Sequence, residues 1–269
     1  MLGKAEVSAH WAELAVFARK SAALDAAAGA GLSGRFESFC VDELRVSMAT
    51  AGPYGFLNTI EGVSEESVEV LPDALERFPD PRQVTVVATG PSQSLRERLL
   101  SEGYEQAPVR PIAYLNARTE GPSEAVSGWE IHEVCAQENA QQFLDLLTAG
   151  YAAPREVSAL IRAEHTVPAV RGFIACRDGE PLAAAAMSLH PTGAVLGGAS
   201  TLHAARGNRA QAALLTHRLH VAEALNISLT TATAAPGTSS IRNLAHLGFT
   251  IVERTAWRHR FGSRTGGPT

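Results

Sequence analysis

The chain has 269 residues, 45% of them hydrophobic and 19% charged, with a formal net charge of −5, the profile of a globular protein with room for one large domain or two of average size. No run of eighteen apolar residues occurs, and no basic leader with an apolar core opens the sequence, which argues against a membrane span and a secretory signal. A cytoplasmic protein with neither a membrane nor a nucleic-acid partner is therefore expected. Cys40, Cys135 and Cys176 lie too far apart for a disulfide framework or a metal site and read as buried thiols.

Taken in order, Val7 to Ala28 is Ala-rich, with Trp11, Leu14, Phe17 and Leu24 at helical spacings, and predicts one or two helices. Gly29, Gly31 and Gly34 form a G-x-G-x-x-G, but it follows a helical stretch and precedes a strand-like one. That is the reverse of the order a dinucleotide site needs, so it reads as a connector. Arg35 to Cys40, Leu44 to Ala49 and Gly55 to Val63 predict strands of an antiparallel meander. Ser64 to Phe78 reads as a helix that Pro72 could interrupt. Val84 to Ala88 predicts a strand, Ser92 to Glu102 a helix, and Gln106 to Asn116 extended chain.

The same series returns later in the chain. At an offset of 145 residues Pro91 falls on Pro236, Ser94 on Ser239, Leu99 on Leu244, Gly103 on Gly248 and Tyr104 on Phe249, and the strand Val84 to Ala88 falls on Leu229 to Thr233. A matched Pro, Gly and aromatic within one strand-loop-helix-strand unit points to an internal repeat. Two domains, 1–124 and 125–269, are expected on either side of the polar linker Thr119 to Gly128.

In the second half, Trp129 to Val134 predicts a strand, Ala136 to Ala149 a helix and Glu156 to Glu164 a further helix. Arg171 to Arg177 and Pro181 to His190 form a hairpin around Asp178-Gly179. Ala194 to Leu202 is a small-residue strand, stopped by the Arg206-Gly207-Asn208 turn, and Ala210 to Leu225 has helical apolar spacing. A strand, a basic turn and a helix in that order place unpaired amides at a helix start, a seat for phosphate. The strand Ile227 to Thr233, the Pro236-Gly237 loop, a short helix opened by Ser239 and Ser240, and Gly248-Phe249 before a last strand complete the half.

This order resembles the GNAT superfamily of N-acyltransferases, whose loop of pattern Q/R-x-x-G-x-G/A wraps the pyrophosphate of coenzyme A. Arg206 matches the first position of that loop, Arg209 stands where the family has Gly, and Gln211 where it has Gly or Ala. Ser239-x-x-x-Asn243-x-x-x-x-Gly248-Phe249 carries the likeness further, and it extends over Trp129 to Phe261. The resemblance implies an α/β (α+β) fold of two tandem GNAT-like domains, each a mixed, mostly antiparallel sheet flanked by helices, the first of them degenerate. It implies acetyl-CoA or another acyl-CoA as donor and an amine of a small molecule as acceptor. Ser200, Thr201, Leu202, Arg206, Gly207, Asn208, Arg209, Ala210, Gln211, Ser239 and Asn243 would then hold the donor.

Amide formation from a thioester requires a neutral amine, a polarised carbonyl and a protonated thiolate. Backbone amides of the Gly198 to Leu202 strand are expected to polarise the carbonyl. The family's strand Glu is absent here, and Leu244 stands in the place of its Tyr. His190, His203, Ser239, Ser240 and His246 are the remaining candidates for proton transfer, each with a structural role, helix cap or surface side chain, beside it. Between Thr201 and Gly262 stand seven Arg and no Lys against two Glu, a balance of +5 that leaves −10 for the rest of the chain. This Arg-rich stretch suits an anionic ligand or an acidic partner. A phosphopantetheine arm on an acyl carrier protein is therefore an alternative donor, and a non-catalytic module binding coenzyme A or a partner protein is the alternative class. No G-x-S-x-G, H-E-x-x-H or G-x-x-x-x-G-K-[ST] motif offers hydrolase, zincin or P-loop chemistry, and no histidines have metal-ligand spacing.

Overall fold

The computed structural model describes residues 4–117, 126–134 and 138–260. In chain order its elements are α1 (Lys4–Gly29), β1 (Phe36–Val41), β2 (Leu44–Ala49), β3 (Thr59–Glu61), α2 (Leu71–Leu75), β4 (Thr85–Thr89), α3 (Gln93–Ser101), β5 (Tyr104–Ala107) and β6 (Ile112–Asn116). They continue as β7 (Glu130–Glu133), α4 (Ala140–Tyr151), α5 (Arg155–Glu164), β8 (Val170–Arg177), β9 (Glu180–His190), β10 (Gly193–Thr201), α6 (Ala210–Ala224), β11 (Leu229–Thr233), α7 (Ser239–His246), β12 (Thr250–Val252) and β13 (Arg254–His259).

Two compact units emerge, and neither is continuous in sequence. One joins 33–111 to 252–269, and the other joins 1–32 to 112–251. The first holds a six-stranded sheet in the order β1-β2-β3-β4-β13-β5, the second a seven-stranded sheet in the order β12-β6-β11-β10-β9-β8-β7. Each sheet is mixed: β3–β4 and β10–β11 are parallel, while β1–β2, β9–β10 and β8–β9 are antiparallel. Each also takes a strand from the other half of the sequence: β13 pairs with β4 and β5, and β6 pairs with β11. The expected boundary at 124/125 lies outside the described residues. The units nonetheless differ from a simple cut there, because strand pairing is non-local and leaves no mark on the segments that exchange.

In the second unit the four alanines Ala183 to Ala186 of β9 are fully buried and alternate between the two faces of the sheet. On one face Ala183, Ala185 and Met187 pack with Leu214 of α6 and Leu244 of α7. On the other Ala184 and Ala186 pack with Phe143 and Leu147 of α4 and Ile161 of α5. Such small side chains let helices approach both faces. Helix α1 joins this unit through buried Ala12, Ala15, Ala23, Leu24 and Ala27. It is tied to β6 where the Ser8 hydroxyl donates to Asn116 Oδ1 at 3.1 Å and the Tyr114 hydroxyl to the Ala5 carbonyl at 3.3 Å.

Several sequence expectations need correction. Only Thr59–Glu61 of the Gly55 to Val63 run is a strand, because Gly52–Leu57, with Pro53 in its first turn, coils into 3-10 helix that buries Tyr54. Pro72 lies in the first turn of α2 rather than interrupting a longer helix, since a first-turn proline loses no hydrogen bond. Thr238, not Ser239 or Ser240, caps α7, its hydroxyl accepting the Ile241 amide at 3.4 Å. Cys176 is buried as expected but Cys40 is exposed, and Cys135 lies outside the described residues. No helix of the described residues is long and apolar enough to cross a membrane.

A fragment spanning Gly128 to Thr269 lacks both α1 and β6 of its own unit. On expression alone it is expected to aggregate or to bind a hydrophobic dye on size-exclusion fractions. A monomeric, dye-silent fragment would contradict the unit assignment.

Candidate functional site

Strands β10 and β11 are paired only through Ala194–Thr230, Val195–Thr231 and Leu196–Ala232. Beyond Leu196 they part. On its other edge β10 pairs Gly197 with Ala186 and next Ser200 with Ala184, so Gly198 and Ala199 together face one residue of β9. This is a β-bulge, which bends a strand and adds twist. The opening is a cleft of about 780 Å³. Its walls are Tyr151 of α4, Ala199 to Thr201 of β10, the Arg206 turn with the first turn of α6, and Ser239, Ser240, Asn243 and His246 of α7.

Two glycines allow the bulge. A Cβ on Gly197 would lie 2.8 Å from the Arg19 guanidinium carbon, and one on Gly198, at φ +55°, 1.9 Å from His165 Nε2. A guanidinium from α1 and an imidazole after α5 thus occupy the space where side chains of β10 would stand. The His165 ring is wholly enclosed, with Nδ1 2.7 Å from the Ile161 carbonyl and Nε2 3.5 Å from Arg19 Nη2. A proton on Nδ1 satisfies both contacts. Burial, joined by the Arg19 charge and opposed by Glu164, holds the imidazole below its ordinary pKa. Arg19 also reaches Glu164 at 3.8 Å and the Ser188 hydroxyl at 3.4 Å, and that hydroxyl lies 2.9 Å from His190 Nε2. Burial, then Arg19, lowers the His190 pKa as well. On α6, Arg218 is fully buried, donating to the Ala186 carbonyl at 2.7 Å and the Leu214 carbonyl at 3.1 Å. Its burial pushes its pKa down to about 9.

The turn before α6 is braced by its own side chains. Arg206 donates to the Gly150 carbonyl at 3.0 Å and the Thr201 carbonyl at 3.3 Å. Gln211 Nε2 donates to the Ser200 carbonyl at 2.8 Å and the Thr201 hydroxyl at 2.9 Å. The Asn208 carbonyl accepts from Trp129 Nε1 at 2.9 Å, and Arg177 stacks on that indole at 4.3 Å. Arg209 is the N-cap of α6, at φ +64° and ψ +15°, and gives no side-chain cap. The first amides of α6 therefore have no partner within the helix or from a capping side chain, and Ala210, Gln211 and Ala212 face the cleft.

Of the residues expected to hold a donor, Ser200, Thr201, Arg206, Gly207, Arg209, Ala210, Gln211, Ser239 and Asn243 line the cleft, whereas Leu202 and Asn208 do not. The Leu202 amide is spent on the Leu182 carbonyl. Among the candidates for proton transfer, Ser239, Ser240 and His246 line the cleft, and His246 Nδ1 lies 2.7 Å from the Arg242 carbonyl of its own helix. His190 stands at the end of β9 beside Ser188, and His203 lies in the short 3-10 turn His203–Ala205, neither on the cleft wall. Sequence reasoning missed Tyr151, Arg19 and His165. The adjacent glycines 197 and 198 within a strand were the available signal of a bulge or close approach.

The first unit closes the corresponding place. The amides of Gly62 and Val63 both reach the Val87 carbonyl, keeping the chain on β4 beyond β3. At the start of α3 the Glu65 carboxylate accepts from the Ser94 hydroxyl at 2.6 Å and from Ser92, the N-cap. Those hydroxyls hold its pKa below the usual carboxylate range. Since Ser94 is the repeat equivalent of Ser239, a fixed negative charge occupies that seat.

Gly198→Ala is expected to destabilise the chain by about 2–4 kcal/mol in urea unfolding, from overpacking together with a left-handed backbone. His165→Ala in the same background should recover part of that loss. An unaffected single variant would show that the bulge does not rest on the imidazole.

No family model matches the sequence, and no curated protein matches it. Among solved structures the chain is similar to a GCN5-related N-acetyltransferase from Kribbella flavida, with 18% identity and a TM-score of 0.60 over 90% of this chain and 97% of that one. It is similar to a GCN5-related N-acetyltransferase from Sphaerobacter thermophilus, with 14% identity and a TM-score of 0.55 over 81% and 76%. A tandem GNAT protein from the clavulanic acid biosynthesis pathway aligns with 16% identity and a TM-score of 0.51 over 80% and 77%.

Proposed function

We propose that this chain, which has the GNAT fold, is an N-acyltransferase that moves an acyl group from acetyl-CoA or another acyl-CoA to an amine of a small molecule, at one site in the second unit. The observation that carries the reading is the parting of β10 from β11 onto the uncapped start of α6. The helix dipole and the free amides favour an anion there, and Arg209 adds a charge-assisted donor on the cleft wall. Ala210, Gln211 and Arg209 are the groups suited to the pyrophosphate, while Ser239 and Asn243 line the side toward α7. The donor supplies an activated acyl thioester, and the chain's part is to hold it beside β10 and to admit the amine.

Free acyl-CoA is favoured over a carrier protein by where the arginines go. Arg218 is buried, Arg242 donates to the Gly237 carbonyl at 2.9 Å, Arg254 pairs with Glu61 at 2.9 Å, and Arg260 pairs with Glu105 at 2.6 Å. Only Arg206 and Arg209 of the Arg-rich stretch line the cleft, too few to read as a docking face for an acidic partner. If a carrier were the donor, Arg209→Gly would weaken transfer from it and spare transfer from acyl-CoA, and the carrier reaction would fall as salt rises.

Calorimetric titration with CoA is expected to give one site per chain, and Arg206→Glu with Arg209→Glu to remove it. Two sites, or a site that survives the double change, would contradict the assignment. Incubation with acyl-CoA donors and a panel of amines, followed by mass spectrometry, separates an enzyme from a module that binds without consuming thioester. No histidine is placed as an obvious base, so catalysis rests on positioning and polarisation. His190→Ala, His203→Ala and His246→Ala should each lower kcat by less than about a hundredfold, the low end for a general base. A loss of several thousandfold at one of them, with binding kept, would identify it as the base.

A further inference from the structure

We infer that Tyr151 is the group that polarises the acyl carbonyl, its hydroxyl relaying the hydrogen-bonding capacity of the Ala199 amide into the cleft. The inference rests on the reading of the cleft as an acyl-thioester site.

Sequence logic assigned the carbonyl to backbone amides of β10. At the bulge, where Ala199 is released from the ladder with β9, its amide does not face open space. It donates to the Tyr151 hydroxyl oxygen at 3.1 Å. A phenol that accepts through a lone pair keeps its own proton to give, and no other hydrogen-bond partner of this hydroxyl exists among the described residues. Burial of the hydroxyl, with Glu164 beside it, pushes the phenol above its ordinary pKa, so the proton is present at neutral pH. Tyr151 lines the cleft and is 47% exposed. An N–H···O–H···O=C chain polarises along its length, which makes the terminal O–H a stronger donor than an isolated phenol.

The end of α4 is held in place for this task. Gly150 lies so close to β10 that a Cβ would stand 2.7 Å from Ser200 Cβ and 3.1 Å from the Thr201 amide. Ser200 Oγ donates to the Leu146 carbonyl at 2.6 Å, and Arg206 donates to that of Gly150. Ala152, at φ +49°, then ends the helix. Tyr151 is thus fixed against the bulge by contacts that do not involve its hydroxyl.

In the reaction the amine lone pair forms the C–N bond, and the carbonyl π pair moves onto oxygen, where the Tyr151 O–H meets it. That pair then returns, the C–S bond breaks with its electrons on sulfur, sulfur takes a proton from water and the nitrogen loses one to water. Tyr151 ends with the proton it began with. The balance is thioester and amine to amide and thiol.

The test is difference infrared spectroscopy of the full chain with acetyl-CoA carrying carbon-13 at the carbonyl, wild type against Tyr151→Phe, with CoA titrated into both by calorimetry. The wild-type carbonyl stretch should lie at lower frequency than that of the variant while CoA binds both equally. Transfer to an accepted amine should fall in kcat by about 10²–10³-fold, the loss of one oxyanion donor. Equal frequencies with CoA bound to both forms would overturn the role of Tyr151 and leave the donor cleft standing. Failure of CoA to bind the wild type would overturn both.

Discussion

The parting of β10 from β11 after three paired residues is the constraint on which the second unit depends. Strands that separate inside a protein leave backbone donors and acceptors that must find other partners. Here the partners come from every element around the opening. Tyr151 answers the Ala199 amide, Gln211 the Ser200 carbonyl and Arg206 the Thr201 carbonyl. Under the bulge, Arg19 and His165 fill the space that Gly197 and Gly198 vacate. Because Arg19 belongs to α1, the first elements of the chain help to shape a site whose other walls lie more than a hundred residues later.

The two units apply one plan to different ends. Both have a parallel strand pair at the centre, a short helix after the second strand of that pair, and beside that second strand one drawn from the other half of the sequence. In one, β10 runs beyond its paired residues into a bulge, then a braced basic turn and a long uncapped helix. In the other, Gly62 and Val63 stay bonded to β4, and Glu65 sits on the start of α3. By the 145-residue offset α3 corresponds to α7, so this carboxylate stands where Ser239 lines the cleft of the other unit, and it repels an anion.

Much of this was legible in the residues. The 145-residue offset predicted the repeated strand-helix-strand series, and Asp178-Gly179 predicted the β8–β9 hairpin, whose turn residues both take positive φ. The turn and the start of α6 were placed correctly because local signals govern them. The exchange of β6 and β13 was not legible, since any alternating strand fits either sheet and only the whole fold decides. The roles of the loop side chains were hidden for a similar reason: Arg206 and Gln211 read as cofactor contacts, yet their hydrogen bonds close on the protein. Arg209 has a left-handed backbone, the conformation for which glycine is ordinarily chosen. Tyr151, in a segment that Pro154 breaks, carried no pattern at all; its meaning comes from a bulge on a strand 48 residues away.

Hydrogen–deuterium exchange with and without saturating acetyl-CoA tests the central claim, that one opened strand pair makes one donor site. The account predicts slowed exchange at the amides of 198–201 and 207–213, with 62–67 and 92–96 unchanged. Protection at the start of α3 instead, or at neither place while acetyl-CoA is bound, would contradict it.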